Sequence, residues 1–148
     1  MIIQSTRFGQ LELPDDSLLA FSHGLPGFPG EKGFVLLPYG EGSPFAFLQS
    51  VGDPDLTFLL ADPFAFFADY QFELGDAVAA ELGLSDANPP QVWCVVSVPE
   101  KTEEMTANLI APVILNIRDR KGRQIVLEVK HYTTRHRMLP DAPAKGGK

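Results

Sequence analysis

The sequence has one cysteine among 148 residues, so no internal disulfide can staple it. That residue, Cys94, lies inside the apolar run Val92-Trp93-Cys94-Val95-Val96. Such a setting raises a thiol pKa and hides the sulfur, and it argues for a core side chain over a nucleophile. Long apolar runs are missing too: nothing approaches the roughly 18 residues of a membrane span. The N-terminal Met1-Ile2-Ile3-Gln4-Ser5-Thr6-Arg7 lacks a basic segment followed by an apolar one. Together these absences predict a cytoplasmic protein with no membrane association. Basic residues are scarce over positions 1–110, 3 against 16 acidic, whereas positions 111–148 hold 9 basic and 3 acidic residues. An acidic body repels nucleic acid and attracts basic protein surfaces.

The constellations that carry chemistry are also missing. Cys94 could pair with His131 or His136 only as a Cys-dependent hydrolase, and its apolar context speaks against that. His23, His131 and His136 have no metal-ligand spacing with one another or with Cys94, so no metal or cofactor is expected. The loop Gly24-Leu25-Pro26-Gly27-Phe28-Pro29-Gly30 carries prolines where a phosphate cradle needs N–H donors. It reads as a rigid turn, and the chain as no enzyme.

Thirteen glycines and thirteen prolines instead cut the chain into short pieces rich in Val, Ile, Leu and Phe. The spacing predicts a mainly antiparallel all-β domain over residues 1–139, closed into a compact barrel because closure removes sheet edges. Strands are expected at 2–5, 10–13, 17–21, 34–38, 45–50, 57–61, 70–74, 92–98, 109–118 and 124–129. Gly122 is expected to supply the positive φ of a hairpin between the last two. One short surface helix is expected over Asp76–Leu82, with Gly83 behind it. Residues 140–148, all Pro, Gly, Ala and Lys apart from Asp141, read as a disordered tail.

Two segments could contact partners. The cations Arg118, Arg120, Lys121, Arg123, Lys130, Arg135 and Arg137, with Tyr132 for stacking, would suit RNA phosphates. The same cations also suit a protected hairpin edge, and the acidic remainder disfavours RNA. The second segment, Asp62 to Glu73, interleaves five aromatics with acids. Phe64, Phe66 and Phe67 cannot all point one way on a strand, so part of this segment is expected at the surface, rimmed by charge.

Several motifs then occur in a fixed order: Phe34-Val35-Leu36-Leu37-Pro38, Phe47-Leu48-Gln49-Ser50, Asp53-Pro54-Asp55-Leu56, Asp62-Pro63-Phe64 and Met105-Thr106-Ala107-Asn108-Leu109. Framed by Arg7-Phe8-Gly9, Gly24-Leu25-Pro26-Gly27-Phe28 and Tyr132-Thr133-Thr134-Arg135-His136, the series resembles the flagellar assembly factor family FliW. The resemblance implies a β-barrel-like regulator and chaperone without catalysis. Such a regulator binds newly made flagellin or, in exchange, the RNA-binding translational repressor CsrA. It further implies contact residues among the acids Asp53, Asp55, Asp62, Asp69 and Glu73, the aromatics Phe64, Phe67 and Tyr70, and the segment Met105, Thr106 and Asn108. The helix opening Gly75-Asp76, where the family pattern has a Ser or Thr cap, departs from it.

Overall fold

Strand pairing closes on itself. The structure is a computed structural model that describes residues 1–139, and the expected tail lies outside them. A first hairpin, β1 (Ile2–Ser5) and β2 (Gly9–Glu12), stands apart from the main sheet. Seven strands then form the barrel: β3 (Leu18–Ala20), β4 (Gly33–Pro38), β5 (Phe45–Ser50), β6 (Thr57–Ala61), β7 (Gln91–Ser97), β9 (Val113–Asn116) and β10 (Lys121–Gln124). Neighbours run antiparallel around the ring until β10 meets β3 in parallel, at Lys121 opposite Ala20. The Ala20 N–H donates to the Arg120 carbonyl at 2.9 Å across this seam.

β7 changes partners along its length. Gln91–Trp93 pairs with β9, while Val96 and Ser97 pair with β8 (Thr106–Ala107), which in turn carries β11 (His136–Arg137). Two apolar layers result, one on each side of β6 and β7. Side chains alternate between strand faces: Leu60, Trp93 and Val95 turn into the barrel with Phe21, Phe34, Leu48 and Leu115. Leu59, Ala61, Cys94 and Val96 turn outward beneath Tyr70, Met105, Leu109 and Met138. A strand buried on both faces needs an unbroken apolar sequence, which is why 92–96 reads as a continuous run.

Three expectations are corrected. Residues 70–74 form no strand among the described residues; the chain instead makes a one-turn helix, α1 (Pro63–Phe66), and runs on irregularly. Asp62 dictates this, since its carboxylate accepts from Phe64 N–H at 3.0 Å and Pro63 occupies the first helical position, where no N–H is needed. The long strand expected at 109–118 shrinks to β9, and the one expected at 124–129 is displaced to β10, which shares only Gln124 with it. Ile125 and Leu127 still donate to the Pro112 and Ile110 carbonyls, at 3.0 and 2.8 Å. Pro112 has no N–H to return, so the ladder stops there. The turn between β9 and β10 takes its left-handed residue at Arg120, φ 58°, and not at Gly122. Gly122 sits within β10 for another reason: a Cβ there would fall 2.4 Å from Phe21 Cζ.

The second helix, α2 (Asp76–Leu82), matches its expected limits and ends on Gly83 at φ 72°, ψ 30°. Asn116 Nδ2 donates to the Leu82 carbonyl at 2.6 Å, and Glu81 accepts from Arg123 at 2.8 Å and lies 2.9 Å from His23 Nε2. These bonds pin α2 to β9, to β10 and to the 21–30 loop.

Candidate functional site

An aromatic layer covers the outward face of β6 and β7, and its backbone is held by side chains. Tyr70, only 4% exposed, donates its hydroxyl to the Leu109 carbonyl at 2.8 Å. Burial, then the neighbouring Cys94 and Tyr132, raise its pKa above the usual phenol value. Its ring meets the Tyr132 edge at 4.8 Å, Phe72 at 5.5 Å and Phe64 at 5.7 Å. The Tyr132 hydroxyl accepts from Gln71 N–H at 3.0 Å and donates to the Gln71 carbonyl at 3.2 Å. His136 Nε2 accepts from Thr133 N–H at 2.7 Å while its ring faces Phe67 at 6.2 Å. A groove of about 410 Å³ opens here, lined by Phe67, Asp69, Leu109, His131 and Tyr132 among others. Phe64, 49% exposed, touches this groove only through Tyr70 and itself borders a neighbouring hollow with Pro44, Pro90 and Trp93.

The residues singled out from sequence divide into groups. Phe67, Tyr70 and Met105 share the outer layer, but Tyr70 and Met105 are buried and present no free face to a partner. Phe64, Asp69 and Glu73 are exposed around them. Asp62 is engaged as the cap of α1, and Asn108 turns inward to accept from Ala111 N–H at 3.0 Å. Thr106 is half-buried in β8. Asp53 and Asp55 lie at the opposite end of β6, a five-residue strand of roughly 16 Å. There Asp53 accepts from Asp55 N–H at 2.9 Å, and Thr6 donates to the Asp55 carboxylate. The acids therefore form two patches.

Tyr132, His136 and Leu109 belong to the same site, although sequence reasoning did not place them there. Some 60 residues separate Tyr132 from Gln71, and no local periodicity reports such a contact. Only the ordered motif at Tyr132-Thr133-Thr134-Arg135-His136 points to this stretch. The hairpin cations are partly engaged: Arg123 pairs with Glu81, and Arg118 with Asp119. Tyr132 is bound to Gln71 and packed against Tyr70, which ties it to the aromatic layer. Cys94 is fully buried, its Sγ 3.4 Å from the Ala61 carbonyl, and burial pushes the thiol up to about 12. Among the described residues no His, Cys, Asp and Glu group could hold a metal ion, and no helix is long and apolar enough to cross a membrane.

Comparison with known proteins agrees with this architecture. A family profile described as "FliW protein" matches residues 2–138. The chain belongs to the FliW family. The flagellar assembly factor FliW of Desulfitobacterium hafniense (strain DSM 10664 / DCB-2) is 51% identical over 99% of this chain and 96% of its own. That of Bacillus subtilis (strain 168) is 39% identical over 92% and 95%. A crystal structure of the flagellar assembly factor FliW superposes with a TM-score of 0.89 at 34% identity, covering 95% of this chain and 99% of that one. The FliW relatives are named assembly factors rather than enzymes, and the chain accordingly has a non-enzymatic role in flagellar assembly.

Proposed function

We propose that the chain acts in the cytoplasm, through a single β domain spanning residues 1–139. There it binds flagellin and, in exchange, a CsrA-type translational repressor. The observation that carries this reading is the exposed Phe64 ring beside the aromatic groove, with Asp69 on the groove lining, in a chain of the FliW family. An amphipathic flagellin helix lays its apolar face on such rings, which shields it from premature assembly. A basic RNA-binding repressor is drawn instead to the acidic rim. Occupancy by one partner lowers the amount of factor available to the other, so unsecreted flagellin releases the repressor onto flagellin mRNA.

The test is co-purification from a flagellated cell extract, with and without added flagellin. Both partners should be retained, and added flagellin should displace the repressor; retention of neither sinks the reading. Phe64→Ser should weaken flagellin binding about tenfold or more, as loss of an interface anchor does, with the melting temperature nearly unchanged.

A further inference from the structure

A groove of about 850 Å³ lies away from Phe64, between residues 71–75 with Val78 of α2 and the segment 125–129 with His131. Ile125 and Leu127 donate their N–H groups to the Pro112 and Ile110 carbonyls. In an extended chain successive N–H groups alternate in direction, so Val126 and Glu128 point theirs the opposite way. Ile110 and Pro112 do not line the groove, which therefore borders this second edge. Among the described residues the backbone groups of Val126, Glu128 and Val129 make no hydrogen bond, nor do those of Phe72, Glu73 and Leu74 across the groove. Val126 is 67% exposed. The floor is apolar, from Phe72, Val78 and Leu127, while the carboxylates of Glu73 and Glu128 flank it and, among the described residues, no Lys or Arg lines it.

The geometry points to strand addition: an extended, basic segment of a protein partner pairs with the free edge of residues 125–129. Its alternate apolar side chains rest on Phe72 and Leu127, and its cations meet Glu73 and Glu128. The inference rests on the reading of this chain as a protein-binding factor, and not on which partner it takes.

Three synthetic ten-residue peptides test it on the full chain: alternating Val and Lys, alternating Val and Glu, and the Val/Lys sequence N-methylated on alternate amides. The Val/Lys peptide should slow hydrogen exchange at the Val126 and Glu128 amides at least tenfold. The Val/Glu and N-methylated peptides should bind at least fivefold more weakly, and Glu73→Lys with Glu128→Lys should reverse the charge preference. Val126→Pro, which removes an edge donor and no internal bond, should lose the Val/Lys peptide while Val126→Ala keeps it. If that variant does not fold, the N-methylated peptide makes the same comparison on the native chain. Protection elsewhere, equal binding of the N-methylated peptide, or no binding overturns the inference. So does a dimer by sedimentation whose contact already protects these amides, since a second copy then fills the groove. Peptide binding alongside failure to retain flagellin or repressor counts against the proposed function and leaves the strand addition standing.

Discussion

The barrel and the aromatic layer outside it are both apolar, yet their backbones are satisfied in different ways. Barrel strands satisfy one another through ladders, so a change of side chain is felt as a packing change. The outer layer, residues 62–75 and 130–139, is held by Asp62 at α1, by the Tyr70 hydroxyl on Leu109 and by the Tyr132 hydroxyl on Gln71. Residues 136–137 also pair with β8, whereas 62–75 join no ladder among the described residues and depend on these single polar atoms, whose removal should loosen them while the barrel stays closed.

The largest expected break is inside the barrel. Gly122→Ala forces a methyl against Phe21 Cζ at 2.4 Å and Leu115 Cδ2 at 2.8 Å. Chemical denaturation should show a loss of about 3 kcal/mol, partly recovered when Phe21→Leu is added, and an additive double mutant would disprove the contact. In the outer layer, Tyr70→Phe leaves the Leu109 carbonyl without its donor. The expected cost is about 1–2 kcal/mol, with faster hydrogen exchange in residues 62–75 and unchanged exchange in β4 and β5.

The two regions meet at Cys94, whose thiol is shifted from 9.0 to about 12, first by burial and further by the Asp62 carboxylate. The folded state keeps a proton that the unfolded chain surrenders above pH 9. Stability should therefore fall as pH rises from about 9 toward 12, by up to about 1.4 kcal/mol per unit for this group. Cys94→Ala should flatten the fall just above pH 9, and a curve unchanged by it would remove the thiol from the account. Tyr70, raised in the same direction, adds its share above pH 10. The smallest effect belongs to Tyr132→Phe, about 0.5 kcal/mol globally, read as loss of protection at the Gln71 amide alone.

The same contrast explains what was legible in the sequence. β5 and β6 fall on their expected limits because period-two alternation and continuous apolar runs are local signals of ladder strands. α2 is equally local, framed by Asp76 and Gly83. The outer layer misled because Tyr70-Gln71-Phe72-Glu73-Leu74 alternates as a strand does, while the hydroxyl that takes Gln71 out of any ladder lies in Tyr132. The segment 124–129 has a β-branched apolar run, Ile125-Val126-Leu127, and its pairing is cut short by Pro112, on the partner segment. The aromatic and acidic character of 62–73 was readable; its division into buried supports and exposed rim depended on those distant partners.

One feature of the barrel wall carries a practical consequence. Cys94 is the sole thiol of the chain and lies sealed between the wall and its aromatic cover. A thiol reagent can reach it only when that cover lifts or the barrel opens. The native chain thus contains its own single-site reporter, and the labelling rate, measured with and without a bound partner, times the opening of the outer layer without any engineered probe.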